Sequence, residues 1–121
     1  MGRNYKNLIC YQRSITLSIE VVKLARKIRP FRLGEQIASS SFSVPSNIAE
    51  GASGDSVASY ANYLRIAKSS CAELETQLKV LRHVYKEHSE SFFILEKEAG
   101  EVFKMVYKLH EEVKSWLQEE K

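Results

Sequence analysis

The stretch Tyr60-Ala61-Asn62-Tyr63-Leu64-Arg65-Ile66-Ala67-Lys68-Ser69-Ser70-Cys71-Ala72-Glu73-Leu74-Glu75-Thr76-Gln77-Leu78-Lys79-Val80-Leu81-Arg82-His83-Val84-Tyr85 decides the fold. Tyr60, Leu64, Ala67, Cys71, Leu74, Leu78, Leu81 and Tyr85 recur in it at alternating steps of four and three. That is a period of about 3.5 residues, the signature of a helix lying in a left-handed bundle seam. Asp55 or Ser56, following Gly54, is placed to cap its start.

The same pattern follows downstream. Phe92, Leu95, Ala99, Val102, Val106, Leu109, Val113 and Trp116 step by three and four, and Ser89 or Ser91 can cap that helix. The link between the two, near Lys86-Glu87-His88-Ser89, is short, which makes them antiparallel neighbours. Upstream, a helix from about Leu8 to Ile28 carries two apolar stripes. One is Ile15, Ile19 and Val22; the other is Leu17, Val21, Leu24 and Ile28. A helix apolar on two sides buries more than one face, and in so small a bundle the second face is expected to meet another subunit. Pro30 ends this helix. Leu33, Ile37, Val44 and Ile48 then mark a helix to about Ala49, with Gly51 as its C-terminal cap. The run Ser39-Ser40-Ser41-Phe42-Ser43-Val44-Pro45-Ser46 interrupts it. Pro45 removes one backbone bond, so this helix is expected to be kinked, or to break with Pro45 opening a new short helix. Its small side chains also allow a neighbour to approach closely. The expected fold is all-α, an antiparallel up-down four-helix bundle with a kinked second helix, spanning residues 1–121 as one domain.

Composition agrees. The 121 residues are 44% hydrophobic and 27% charged, ordinary globular material. No apolar run approaches the roughly 20 residues of a membrane span, so no membrane role is expected. The start, Met1-Gly2-Arg3-Asn4-Tyr5-Lys6, lacks an apolar signal core, and Lys6 stands where a myristoylation motif needs Ser or Thr. Cytoplasmic location is the default expectation. Cys10 and Cys71 have no CxxC or zinc-ligand spacing and read as buried thiols of a reducing compartment. Net charge is +3 but uneven. Residues 1–32 carry Arg3, Lys6, Arg13, Lys23, Arg26, Lys27, Arg29 and Arg32 against Glu20 alone, whereas residues 89–121 are acidic. A basic first quarter implies an anionic partner at one side of the molecule.

At Pro45-Ser46-Asn47-Ile48-Ala49-Glu50-Gly51 the sequence resembles the bacterial four-helix-bundle family of 23S rRNA intervening-sequence proteins. That family also takes in the accessory variability determinants of diversity-generating retroelements. Leu33-Gly34-Glu35-Gln36-Ile37 is similar to its Gly-x-Gln-Ile lead-in, Tyr63 to Leu78 to its Glu-Leu-Glu-Thr block, and Tyr5-Lys6-Asn7-Leu8 to its N-terminal anchor. The resemblance runs from about residue 5 to 115. It implies a bundle that assembles as a homopentamer, a short barrel with a central channel. It also implies, for retroelement members, binding of a reverse transcriptase and of nucleic acid through basic surface. An arginine pair that often follows Gln-Ile in the family is replaced here by Ala38 and Ser39, so no backbone-contacting role is carried over to those positions.

The chemistry is sparse. Asn47 and Glu50 lie one turn apart and share a face; they suit either an active-site amide and carboxylate or a polar pair that fixes register against a neighbouring helix or subunit. Glu73 adjoins the heptad and can bond to helix two, with Asn47 as one possible partner, while Glu75 points to solvent. No residue three before His83, His88 or His110 is a glutamate, so the Glu-x-x-His di-metal motif is missing. There is no Gly-rich phosphate loop, HExxH or nucleophile elbow. No metal, cofactor or enzyme activity is therefore expected. Gln36, Asn47, Glu50, Gly51 and Glu73 read as structural motif residues. Arg13, Lys23, Arg26, Lys27, Arg29 and Arg32 read as nucleic-acid-binding, directed at the RNA or DNA backbone and multiplied by oligomerisation. The competing function is a structural or protein-interaction bundle without nucleic acid. The six tyrosines could stack bases, but most sit at core or near-core positions.

Overall fold

A computed structural model describes residues 4–119. The expectations placed on the Met1-Gly2 start, and the charge of Arg3, lie outside the described residues. Four long helices follow a single 3-10 turn at Tyr5–Asn7: α1 (Ile9–Ala25), α2 (Phe31–Ala52), α3 (Val57–Val84) and α4 (Ser89–Glu119). A second 3-10 turn, Lys86–His88, joins α3 to α4, and among the described residues there is no strand. Consecutive helices pack side by side, and α1 closes onto α4 more lightly. The all-α four-helix bundle is the observed fold.

The two heptad helices form the deepest seam. Tyr60, Leu64, Ala67, Cys71, Leu74, Leu78 and Leu81 of α3 are all buried against Phe92, Ala99, Val102, Val106 and Val113 of α4. Burial of this many large side chains, at roughly 1.5–3 kcal/mol each, drives the pairing. The Ser56 side chain caps α3 by accepting from the Ser59 amide at 3.0 Å. Both cysteines are free and buried. Burial pushes the Cys71 thiol up to about 12, and its Sγ points at the Ala99 carbonyl 3.2 Å away.

Polar residues also enter the seam, which the apolar periodicity could not reveal. Glu96 is buried and accepts from Arg82 Nε at 2.6 Å, with Lys79 Nζ at 3.9 Å. His110 is only 5% exposed, and its Nδ1 has no hydrogen-bond partner. Burial foremost, then the charges of Lys68 and Lys114, lowers its pKa; Arg65 adds to the effect and Glu111 opposes it.

The second helix corrects three expectations. It is one unbroken α-helix of 22 residues through Pro45, so the reading of a new helix opening at Pro45 does not hold. Pro45 cannot donate to the Ser41 carbonyl, but fully buried Val44 and Ile48 flank it, and that packing keeps the chain helical. Gly51 is not a C-terminal cap. It lies inside the helix, no described glycine has positive φ, and Ser53 takes the cap position. A Cβ on Gly51 would stand 2.8 Å from Tyr63 Cβ and 3.1 Å from Tyr60 Cδ1, so its role is close packing on α3. Glu73 does reach α2, but its partner is Ser40 at 3.2 Å rather than Asn47. Asn47 instead turns back to the Ser43 carbonyl at 2.7 Å and the Ser43 hydroxyl at 2.9 Å.

The serines of α2 make bonds to both neighbours. Ser41 pairs with Ser18 of α1 at 3.0 Å, and Ser43 with Ser70 of α3 at 2.7 Å. Gly34 does for α1 what Gly51 does for α3: a Cβ there would meet the Ala25 carbonyl oxygen at 2.5 Å.

Helix α1 ends at Ala25, a turn earlier than the sequence suggests, and residues 26–30 form the link to α2. Its stripe of Leu17, Val21 and Leu24, with Ile28 beyond the helix, is buried. Its other stripe is not. Ile19 is 50% exposed and, with Ile15 and Val22, borders a groove of about 570 Å³ that Phe42 and Pro45 of α2 complete.

Two outcomes follow. Gly34→Ala forces a backbone carbonyl aside and is expected to cost roughly 1–3 kcal/mol, seen as a lower urea midpoint, whereas Gly54→Ala, with no contact nearer than 3.6 Å, is expected to be near neutral. For His110, only the unfolded chain takes up a proton between the ordinary histidine pKa and the lower folded value. Stability should therefore fall as pH drops across that window, and His110→Gln should flatten the fall in urea titrations run at pH 7.5 and 5.5.

Candidate nucleic-acid interface

The antiparallel course of the helices brings the end of α1 and the start of α2 to the same end of the bundle as the α3–α4 turn. One bond seals this meeting: Tyr85 Oη donates to the Arg29 carbonyl at 2.6 Å. Lys23, Arg26, Lys27, Arg29 and Arg32 therefore share that end with Arg82 and Lys86, against Glu20, Glu35, Glu87, Glu90 and Glu96. Arg82 and Lys86 escape a reading by segments, because residues 33–88 are nearly neutral overall.

Five of the six predicted bases are spread over three grooves. Lys23 and Lys27 border the groove between α1 and α4, Arg26 and Arg29 that between α1 and α2, and Arg32 that between α2 and α3. They ring the end. Arg26, Lys27, Arg29 and Arg32 make no ion pair with any described residue. Lys23 pairs with Glu20 at 3.3 Å on an exposed surface, a weak and salt-screened contact. Arg29 Nη1 donates to the carbonyls of Arg26 and Ile28, both at 3.1 Å, which sets its guanidinium over the Phe31 ring at 3.8 Å.

Arg13 does not join them. It lies about 15 Å along α1 from Lys23, and Glu98 of α4 grips it through Nε at 2.9 Å and Nη2 at 2.6 Å. That bond raises the arginine's pKa further, and the pair ties α1 to α4, the most lightly packed of the neighbouring helix pairs. Of the motif residues, Gln36 and Glu73 border a polar groove between α2 and α3 with Ser39, Ser40, Ser43 and Ser70, whereas Glu50 is exposed near the opposite end. Asn47 and Glu50 form no bond to a neighbouring helix. Among the described residues no group of three or more His, Cys, Asp or Glu side chains could hold a metal ion, and no helix is long and apolar enough to cross a membrane.

The tyrosines are mostly packed, as expected: Tyr60 is buried and Tyr5, Tyr11, Tyr63 and Tyr85 are partly buried, while Tyr107 is exposed. The aromatic rings open at the basic end are phenylalanines. Phe31 is 60% exposed and Phe93 is 40% exposed. Arg29-Pro30-Phe31-Arg32 is an interleaving of basic and aromatic residues that the sequence displays openly.

No curated protein matches the chain. A solved structure does: the crystal structure of a protein of unknown function from the S23 ribosomal protein family of Bacteroides thetaiotaomicron. It aligns with a TM-score of 0.77 at 21% identity, covering 85% of this chain and 96% of that one, and supports the fold. Residues 6–108 match the family model of the 23S rRNA-intervening sequence protein. That match takes in all of the resembling motifs except Tyr5, and the same helical fold is observed, so the chain belongs to the 23S rRNA-intervening sequence protein family.

Proposed function

We propose that this protein is a non-enzymatic, oligomeric accessory protein that binds RNA or DNA by its backbone through the basic end of the bundle. The observation that supports this reading best is the gathering of Arg26, Lys27, Arg29 and Arg32 at one end without acidic partners. Unpaired arginines and lysines at one place attract phosphates and release their counterions. Such contacts position a protein on nucleic acid without reading its sequence. Several copies in a ring would add their fields.

The oligomer rests on a separate observation. Ile15, Ile19, Val22, Phe42 and Pro45 leave an apolar groove on the outer face of α1 and α2, and open apolar patches of this kind mark interaction sites. The pentamer is the assembly implied by the family resemblance, and a reverse transcriptase is the partner implied by its retroelement branch. A scaffold bundle that binds protein alone is the competing reading, and the basic end speaks against it.

Binding of a labelled RNA and a labelled DNA, titrated against salt, tests the first part. Affinity is expected to fall log-linearly with salt, and Arg26→Gln or Lys27→Gln should each lower the slope by about 1 while weakening all sequences alike. Arg13→Ala should loosen the fold but leave the slope in place. No binding at low salt, or salt-independent binding, would refute the reading. Light scattering tests the second part: a mass well above 13.9 kDa is expected, falling towards it in Ile19→Asp or Phe42→Asp.

A further inference from the structure

We infer that the basic end takes single-stranded nucleic acid in preference to duplex, and that Phe31 is its base-stacking platform; this rests on the reading of that end as a nucleic-acid interface. A duplex hides the faces of its bases, so a protein that contacts only phosphates needs no aromatic surface. Single-strand binders combine cationic grooves with aromatic rings on which unpaired bases lie. The basic end has both.

Phe31 opens α2 and is 60% exposed, although it is among the largest apolar side chains of the molecule. It sits between Arg29 and Arg32 in sequence and borders the same groove as Arg26, Arg29 and Glu35. The Arg29 guanidinium lies 3.8 Å from its ring centroid. Because the same guanidinium is tethered to the carbonyls of Arg26 and Ile28, the stack is held before any ligand arrives. A nucleobase can lay its face on either member of this pair, while Arg26 and Arg32 stand close enough in the chain to meet the adjoining phosphates. A weaker version lies one turn into α4 at Phe93, where Lys97 is 5.2 Å from the ring and Arg82, at 5.0 Å, is itself bound to Glu96. An exposed phenylalanine under a tethered arginine that has no acidic partner, at the end rich in such bases, is what a stacking surface requires.

The test compares wild type, Phe31→Leu and Phe31→Ala for binding of a labelled oligouridylate, an oligothymidylate and a mixed-sequence duplex of equal length. Light scattering accompanies each variant. Wild type is expected to prefer the single strands. Both substitutions should lower single-strand affinity about tenfold, leave the salt slope unchanged because no charge is removed, and spare the duplex. Equal binding of single strands by wild type and both variants would overturn the stacking role. An equal loss on the duplex would overturn it too. A drop in oligomer mass would assign Phe31 to a subunit interface and also overturn it. Absence of all binding at low salt in wild type would instead bring down the nucleic-acid reading itself, and is told apart by the wild-type titration alone.

Discussion

The bundle depends on how closely α2 lies against its two neighbours. At Gly34 the backbone of α2 approaches the Ala25 carbonyl so nearly that a Cβ would stand 2.5 Å away. At Gly51 it comes almost as near to Tyr63 and Tyr60. Between these points Ser41 bonds to α1, and Ser40 and Ser43 bond to α3. Larger side chains would hold the helices apart and leave those hydroxyls without partners, which is costly when buried. The serine-rich, glycine-bounded composition that lowers the helix propensity of α2 is therefore what lets it sit between α1 and α3. The packing so gained carries the helix through Pro45.

That placement has an electrostatic consequence. With α2 clamped to α1 at Gly34, the connecting turn is short and its arginines are kept at the end of the bundle. Tyr85 bonds to this turn and draws the α3–α4 connection, with Lys86, to the same place. The opposite end carries Glu50, Asp55, Glu111, Glu112 and Glu119 together with Lys6 and Lys114, the latter paired with Glu111 at 2.7 Å. Antiparallel helices cancel most of one another's macrodipoles, so the basic character of the one end comes from its side chains. Two cations are held in structural pairs: Arg13, further along α1, in a bidentate pair with Glu98, and Arg82, at the basic end itself, on buried Glu96.

Buried polar groups set limits on how the seam can be redrawn. Glu96 is tolerated because Arg82 neutralises it at 2.6 Å. His110 has no such partner and stays neutral because burial and the nearby lysines disfavour its charge. Replacing the apolar neighbours of either residue would leave these groups less well shielded or less well paired.

The strongly periodic parts of the chain were legible from sequence alone. Spacing of Tyr60 through Leu81 and of Phe92 through Trp116 determined two helices and their buried faces, because a heptad stripe has only one way to hide its apolar side. The two stripes of α1 and the bases of residues 23–32 were equally plain, and the Asn47–Gly51 string pointed to the family. What only the tertiary structure decided is which groups meet. Gly51 proved a contact point and not a cap, Glu73 met Ser40 and not Asn47, and Arg13 was separated from the other bases by Glu98. Arg82, Lys86 and the exposed Phe31 and Phe93 joined the basic end. Periodicity records which side of a helix faces inward, but the rotation, approach distance and register between helices depend on side chains far apart in sequence, and only the packed bundle brings those together.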